Sequence, residues 1–373
     1  MIGQLSGLSF NQPKFCSLPA WNSVGITFAT NNIISGDPYS LFITSNNSIY
    51  VVDRSASRIY IWLNNSFYPT ITISNGLSGP RSVFVYNNNN DIYIDNGNSN
   101  NRVDKWILNT NTTVPVMSIN SSCYSLFIDT NNTLYCSLDS YQIVVKKWLR
   151  DNNTTPITAA GNGTVGSAAN TFNYPNGLFI DSNFNLYVAD CLNHRIQLFY
   201  PGQSNGITVA GATSVNTTIT LNRPTGVTMD ADGYLYISDY YNNRMVRGGS
   251  NGFKCIIGCS GGGVASNQLR GPRYMTFDSY GNIYVADTDN YRVMKFIYSN
   301  SSCGPTTTGL TSITSTRIIQ SSTTSMKRST TILSSTRSST YSILTTHEPI
   351  QSRSTKAVIG YLIQCLILFI LYI

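Results

Sequence analysis

The sequence contains almost no glutamate or histidine. Of its 17 acidic residues only Glu348 is glutamate, and His194 and His347 are the only histidines. Because glutamate favours helix interiors whereas aspartate favours turns and caps, this bias argues against a helical protein. A single histidine in the first 303 residues is too few for a histidine-rich zinc site. We therefore predict no metal, no cofactor and no catalytic residues.

Charged residues are also scarce, at 11% of the 373 residues. The formal net charge is +7, but the residues after position 303 carry +5 of it and leave the body of the chain near neutral. A nucleic-acid-binding surface requires a clustered basic face, so we predict no nucleic-acid partner.

Long apolar runs are confined to the C-terminal end. The segment "AVIGYLIQCLILFILYI", residues 357–373, would span roughly 26 Å as a helix, close to the ~30 Å bilayer core. Residues 304–356 are rich in serine and threonine, which is typical of an O-glycosylated stalk. We expect a folded region in residues 1–303, a disordered stalk in 304–356 and an anchor in 357–373, either transmembrane or a glycosylphosphatidylinositol-type signal. This organisation places the protein at the cell surface or in a secretory-pathway membrane, although no signal peptide is visible.

The folded region contains six copies of one pattern. Its central tyrosines are spaced 43, 42, 52, 49 and 48 residues apart, at Tyr50, Tyr93, Tyr135, Tyr187, Tyr236 and Tyr284. Each copy has an entry strand, a polar turn, a strand such as "NLYVAD", a loop, a third strand such as "RIQLF" and a weaker fourth strand. Four short strands in about 40–50 residues form one blade of a propeller.

The sixth copy supplies only three strands. The N-terminal stretch "WNSVGITFAT", residues 21–30, matches the fourth-strand pattern "SNGITVAG" and can complete that blade, which would remove the free sheet edges. We predict an all-β, six-bladed β-propeller of four-stranded blades, whose last blade is closed by an N-terminal strand. Copy three departs most from the pattern, with Leu138 in place of an aspartate.

The stretch "YPNGLFIDSNFNLYVADCLNHRIQLF" resembles an NHL repeat, and the whole region resembles a six-bladed NHL propeller of the TolB-like kind. This resemblance, together with the lack of a catalytic set, favours a non-catalytic module that binds a protein or glycan. Two alternatives remain open. One is a metal-dependent enzyme similar to amidating lyases or lactonases, and the other is a substrate-binding propeller related to ubiquitin ligases but without a RING domain.

An aspartate at the end of the second strand and an arginine five residues later recur in four copies. Because repeat units share structural residues, we interpret these pairs as scaffold rather than active-site groups. They are Asp53 with Arg58, Asp190 with Arg195, Asp239 with Arg244, and Asp287 with Arg292. Asp95 with Arg102 is a stretched version of the same pair.

Six of the eight cysteines can form disulfides in a secreted chain. The candidate pairs are Cys16 with Cys303, Cys123 with Cys136, and Cys255 with Cys259, which leaves Cys191 unpaired. Reduced thiols are the alternative. Ten Asn-x-Ser/Thr sites are consistent with a glycoprotein, but a chain this rich in these residues produces about that number by chance.

Ligands of propellers usually bind around one end of the central channel, at positions that differ from blade to blade. The residues after each first-strand proline, or its equivalent, should ring the channel: Tyr39, Arg81, Tyr124, Asn176, Thr225 and Arg273. Loops between the second and third strands should share that face: Arg54, Tyr141, His194, Tyr240, Tyr241 and Tyr291. We expect this surface to bind the protein or glycan partner, with a membrane contact through the C-terminal segment and a monomeric propeller.

Overall fold

The computed structural model is a closed ring of six four-stranded antiparallel sheets, as the sequence predicts. It describes residues 9–63, 65–86, 91–108, 110–211, 214, 219–248 and 252–299. Cys303, the expected stalk and the expected anchor segment lie outside these residues. Within the described ranges, no helix is both long enough and apolar enough to cross a membrane.

The strands follow one another as meanders from the inside of each blade outwards. The N-terminal strands are β1 (Ala20–Trp21) and β2 (Ile26–Ala29). Blade one contains β3 (Pro38–Ile43), β4 (Ile49–Asp53), β5 (Arg58–Trp62) and β6 (Ile71–Ile73). Blade two contains β7 (Val83–Tyr86), β8 (Asp91–Asp95), the short helix α1 (Gly97–Asn100), β9 (Arg102–Ile107) and β10 (Thr112–Ser118). Blade three contains β11 (Leu126–Ile128), β12 (Thr133–Leu138), β13 (Ile143–Trp148) and β14 (Ile157–Ala160).

The second half of the ring is the more regular one, and its second-to-third strand loops each form one turn of 3-10 helix. Blade four contains β15 (Pro175–Ile180), β16 (Leu186–Asp190), β17 (Arg195–Phe199) and β18 (Ile207–Gly211). Blade five contains β19 (Pro224–Met229), β20 (Leu235–Asp239), β21 (Arg244–Arg247) and β22 (Lys254–Ile257). Blade six contains β23 (Pro272–Phe277), β24 (Ile283–Asp287) and β25 (Arg292–Phe296), and β26 (Tyr298–Ser299) follows it. The 3-10 turns are Cys191–Asn193, Tyr240–Asn242 and Thr288–Asn290.

The N-terminus closes the ring, which confirms the prediction made from residues 21–30. Strand β2 pairs antiparallel with β25, with Ile26 opposite Lys295 and Ala29 opposite Val293. Strand β1 pairs with β26 just outside the blade. Blade six is therefore assembled from both ends of the propeller, and its outer strand comes from the start of the chain.

The repeated tyrosine and the aspartate of the preceding turn hold each other. In blade five, Asp230 Oδ1 accepts the backbone N–H groups of Asp232 (3.1 Å) and Tyr234 (2.9 Å), which is an Asx turn. The hydroxyl group of the buried Tyr236 donates to Asp230 Oδ2 at 3.1 Å. Blades three and four repeat this arrangement, so the tyrosine that marks these three repeats also hydrogen-bonds the turn aspartate.

The central channel is filled by a single large side chain among small ones. The residue after each ring position is small in five blades and a tyrosine in the sixth: Ser40, Ser82, Ser125, Gly177, Gly226 and Tyr274. A Cβ atom at Gly177 would lie 2.4 Å from the carbonyl oxygen of Thr225, so only glycine allows the two blades to approach this closely. The side chain of Tyr274 in blade six crosses the channel to blade three, where its hydroxyl group lies 2.9 Å from Ser125 Oγ. The remaining cavity measures about 40 Å³.

The other end of the channel is closed by the segment that precedes β1. The ring of Phe10 lies among Phe84, Phe127 and Phe179, with ring centroids 5.5–6.2 Å apart. Asn11 Nδ2 donates to the carbonyl oxygens of two first strands, at Thr44 and Phe277. The sequence did not reveal this plug, because residues 9–15 carry no repeat pattern.

Candidate functional site

The Asp–Arg pairs of blades four, five and six clamp the linkers that enter these blades. Each arginine Nε donates to an aspartate that is fully buried, at 2.8, 2.8 and 2.7 Å. In blade four, the remaining N–H groups of Arg195 donate to the carbonyl oxygens of Ser167, Ala168 and Thr171. The pair therefore joins the hairpin to the incoming linker, which is a structural task.

Blades one and two depart from the expected pairing. Arg58 is exposed and hydrogen-bonds Tyr60, while Asp53 accepts the backbone N–H groups of Gly36 (2.9 Å) and Ala56 (3.0 Å). The linker before blade one is shorter than that before blade four, so it presents no carbonyl cradle for a guanidinium group. Asp53 and Arg58, which are both described by the structure, do not form an ion pair.

In blade two, the arginine has a different partner from the one that the sequence suggests. Arg102 Nε donates to Asp104 Oδ1 at 2.8 Å, not to Asp95. Helix α1 lengthens this loop, so Arg102 begins the third strand beside Asp104, which also accepts a bond from Asn96 Nδ2. The stretched Asp95–Arg102 pair was therefore a wrong expectation.

Asp95 is fully buried, and backbone N–H groups donate hydrogen bonds to it. Its carboxylate accepts the backbone N–H groups of Cys123 (2.9 Å) and Arg81 (3.1 Å). Burial raises the pKa of Asp95 to about 7, although these amides and the charge of Arg81 act to lower it. The carboxyl group therefore changes its protonation state near neutral pH in the folded protein.

A measurable pH dependence follows from this raised pKa. Since the folded pKa lies above the unfolded value, the folded state binds the proton more tightly and stability declines as pH rises. We expect a loss of about 1.4 kcal/mol in unfolding free energy between pH 6 and pH 8 from this group. Urea midpoints at the two pH values should differ less in Asp95→Asn than in the unsubstituted protein. Identical pH profiles would contradict this assignment.

His194 holds neighbouring blades together. It occupies the left-handed region (φ 55°) at the end of its 3-10 turn, and its Nδ1 accepts the backbone N–H of Arg223 at 3.1 Å. Three other blades place an acceptor at the same position against the next linker: Ser57 to Gly79, Gln142 to Tyr174, and Asn243 to Gly271. The geometry therefore gives this predicted binding residue a structural task.

Substitutions at His194 should follow the pattern of the other blades. Asn243 has nearly the same backbone conformation (φ 53°) and makes the same bond, so His194→Asn should be close to neutral. His194→Ala should destabilise the protein by about 1 kcal/mol, because the bond to the next blade is lost. Thermal melts of both variants measure the difference, and equal losses would argue against this bond.

The ring positions do surround the channel mouth, but most of them are buried rather than displayed. Tyr39, Arg81 and Tyr124 are 5–6% exposed, and Asn176 and Thr225 are 3% and 2% exposed. Arg273 is half-buried. Thr225 Oγ1 donates to the carbonyl oxygen of Arg273 at 2.9 Å, which links blades five and six.

Stacked tyrosines and arginines form a continuous layer over the mouth. The guanidinium group of Arg273 lies over the rings of Tyr39 (4.5 Å) and Tyr240 (4.7 Å), and that of Arg81 lies over Tyr124 (4.4 Å). The hydroxyl groups of Tyr124 and Tyr174 are 2.6 Å apart. We call this set the tyrosine–arginine layer: Tyr39, Arg81, Tyr124, Tyr174, Tyr240 and Arg273.

The layer combines permanent positive charge with neutral rings. Burial raises the pKa of Tyr39 to about 12, even though Arg273 beside it acts in the opposite direction. Burial also raises the pKa of Tyr124 and Tyr240, so these phenols stay protonated at physiological pH. The arrangement provides cation–π stacking and hydrogen-bond donors, which suit recognition.

An open groove adjoins the layer between blades five and six. It measures about 640 Å³, and we call it the mouth groove. Three glycines form part of its lining, and its other residues are Tyr240, Tyr241, Asn243, Val264, Arg270 and Asp289. Arg223 stacks on Tyr241 at 4.3 Å, and that ring is still 52% exposed.

The other predicted loop residues are spread more widely. Arg54 lies 5.6 Å from the Tyr39 ring, which places it beside the layer. Tyr141 is exposed in blade three, with its hydroxyl group near the carbonyl oxygen of Asn120. Tyr291 is exposed in blade six. Two important mouth residues, Tyr174 and Arg223, escaped the sequence reasoning because they precede the first-strand prolines.

Two of the predicted disulfides are present. Cys123 pairs with Cys136 and Cys255 pairs with Cys259, while Cys191 is a buried free thiol. Such bonds persist in oxidising compartments, so they point to an extracellular environment. Cys303, the candidate partner of Cys16, lies outside the described residues. Among the described residues, no group of three or more histidine, cysteine, aspartate or glutamate side chains could hold a metal ion.

Comparisons with known proteins agree with this architecture. An NHL-repeat family profile matches residues 221–247, and no curated protein sequence matches the chain. A structural genomics protein of unknown function from Bacteroides thetaiotaomicron VPI-5482 shares 13% identity over 76% of this chain and 74% of that chain, with a TM-score of 0.57. A streptogramin B lyase structure (15% identity, 69% and 78% coverage, TM-score 0.48) and a nidogen/laminin complex (18%, 56% and 74%, 0.46) are more distant.

At 13% identity, the likeness to the Bacteroides protein bears on the fold alone. The protein is a six-bladed β-propeller with a stacked aromatic and cationic layer at its channel mouth. The profile match covers the first three strands of blade five, and the same strand, turn and Asp–Arg arrangement recurs in blades four and six. The chain therefore contains an NHL repeat at residues 221–247 within a six-bladed β-propeller.

Proposed function

We propose that this propeller is a non-catalytic, extracellular binding module, held at a membrane by its C-terminal segment, that binds a protein or glycan at its channel mouth. One observation carries the proposal. The channel is filled and the tyrosine–arginine layer covers its mouth, so ligands meet a surface with an open groove rather than a deep pocket.

Several features support a binding role. Tyrosine and arginine are the residue types that most often anchor interfaces, and here they are held rigidly by stacking. The residues that repeat between blades make structural bonds, whereas the mouth residues differ from blade to blade. The two disulfides support an extracellular setting.

A matched pair of tyrosine variants tests the binding surface. The full-length protein would be screened against a glycan array and a panel of extracellular protein domains. Tyr241→Ala removes an exposed ring from the mouth groove, and we expect it to weaken the strongest interaction at least tenfold. Tyr280→Ala, in the exposed turn at the opposite end of blade six, should have no effect. Equal behaviour of the two variants would place the binding surface elsewhere.

The anchoring half of the proposal needs a separate experiment. Cells that express the full-length protein would be washed with alkaline carbonate and treated with a phosphatidylinositol-specific phospholipase. Resistance to carbonate supports an integral anchor, and release by the phospholipase identifies it as a glycosylphosphatidylinositol anchor. Complete extraction by carbonate alone would remove this half of the proposal.

A further inference from the structure

Two sets of arginines in the propeller have different partners. One group pairs with aspartates at 2.7–3.3 Å, and it contains Arg102, Arg195, Arg244, Arg247 and Arg292. The other group lies at the channel mouth, where Arg54, Arg223 and Arg273 stack on tyrosines. Among the residues that the structure describes, none of these three forms an ion pair with a carboxylate.

The mouth also holds buried donors that no protein group satisfies. Asn176 is 3% exposed, and its Nδ2 has no hydrogen-bond acceptor in the described chain. Arg273 Nε is likewise buried without an acceptor, while its Nη1 makes a long 3.4 Å bond to the hydroxyl group of Tyr39. Buried donors are normally paired, so these two groups at the mouth have capacity for an acceptor from a ligand or an ordered water.

The mouth groove adds the features that a sugar requires. The half-exposed Tyr241 ring offers a flat apolar surface, and exposed Asp289 accepts a weak bond from the Tyr240 hydroxyl group and keeps further acceptor capacity for sugar hydroxyl groups. Exposed Arg270 lies on the same groove. A peptide would gain most from pairing with a free strand edge. The first strands of the two blades beside the groove, β19 and β23, contain only buried and half-buried residues and offer no exposed edge residue.

We propose that the mouth groove and the adjoining layer bind an acidic glycan, one that carries sulfate or carboxylate groups. Arg223, Arg270 and Arg273 bind the anionic groups, and guanidinium groups that stack on aromatic rings are already oriented for such planar, charge-assisted bonds. Tyr241 packs against a sugar ring. This inference rests on the proposed binding function and names the ligand class for it.

The test uses the full-length protein and defined probes. Titration calorimetry would compare heparin-derived oligosaccharides (sulfate and carboxylate), hyaluronan oligosaccharides (carboxylate alone), neutral chitin oligosaccharides and a poly-glutamate peptide. We expect an acidic oligosaccharide to bind at least tenfold more tightly than the neutral one, and to lose affinity as salt screens the charges. Comparison of the heparin-derived and hyaluronan oligosaccharides shows whether the protein recognises sulfate or carboxylate groups.

Matched arginine variants locate the interaction. Arg270→Gln should weaken acidic glycan binding at least fivefold. Arg150→Gln, an arginine at the opposite end of blade three, should leave it unchanged. Arg273→Lys keeps the charge but loses the planar stack, and we expect an intermediate loss. Thermal melts confirm that each variant is folded.

Each contrary outcome has a distinct meaning. Equal losses in Arg270→Gln and Arg150→Gln, or tighter binding of poly-glutamate than of the acidic sugars, would overturn the acidic glycan. Binding of a neutral sugar or of a protein that Tyr241→Ala abolishes would also overturn the acidic-glycan proposal, but it would leave the proposed function intact. Glycan or protein binding that is unchanged in both Tyr241→Ala and Arg270→Gln would contradict both the proposed binding function and the acidic-glycan proposal.

Discussion

Arg195→Ala is expected to lower the free energy of unfolding by about 3–5 kcal/mol, because it leaves the fully buried Asp190 without its cationic partner. The substitution also removes the donors for the linker carbonyl oxygens of Ser167, Ala168 and Thr171. Burial already raises the pKa of Asp190 with the arginine present, so the remaining carboxyl group would take up a proton more readily still. Urea unfolding of the full-length protein, followed by circular dichroism, measures the loss.

The repeat pattern itself supplies the control for this prediction. Arg58 occupies the same place in blade one, but it is exposed and bonds Tyr60. Arg58→Ala should leave the urea midpoint unchanged. If Arg195→Ala were tolerated as well, or if it impaired ligand binding without loss of stability, the structural role of the Asp–Arg pair would be wrong.

Much of the fold can be predicted because its determinants are local and repeated. The strand–turn–strand pattern, which ends in "YISD" in blade five, contains the turn aspartate and the tyrosine that hydrogen-bonds it, as Asp230 and Tyr236 show. Ring closure can be predicted because β2 keeps the fourth-strand pattern although it lies at the other end of the chain. Blade two could not be predicted in detail, since α1 changes the partner of Arg102.

The candidate site could be predicted only in outline. Alignment of the six repeats with one another places Tyr39, Arg81 and Arg273 around the channel, because the first-strand prolines fix the register. These side chains bury one another because they meet across the channel. The distances between blades that bring them together cannot be read from the spacing of the repeats. The same limit hid Tyr174, whose hydroxyl group meets Tyr124 from the next blade. The position of His194 was predicted, but the bond that it makes to the next blade depends on the backbone of Arg223.

Phe10→Ala is expected to destabilise the propeller by about 2 kcal/mol, although Phe10 is only half-buried and lies outside every repeat. Its ring fills the space between Phe84, Phe127 and Phe179 at the end of the channel opposite the tyrosine–arginine layer. Removal of a phenyl group from such a site costs both the lost burial and the cavity that remains. Chemical unfolding of the full-length variant measures the loss.

A second readout separates a plugged channel from a general weakening of the N-terminal segment. Phe10 is half-buried, and the cleft left by Phe10→Ala is lined by the rings of Phe84, Phe127 and Phe179, which a small apolar molecule can cover again. Benzene should therefore raise the melting temperature of Phe10→Ala but not that of the unsubstituted protein, whose channel cavity is about 40 Å³. Phe67→Ala, at a 92% exposed ring, should change stability by less than about 0.5 kcal/mol and should not respond to benzene. A benzene effect of equal size in all three proteins would show that Phe10 does not close the channel.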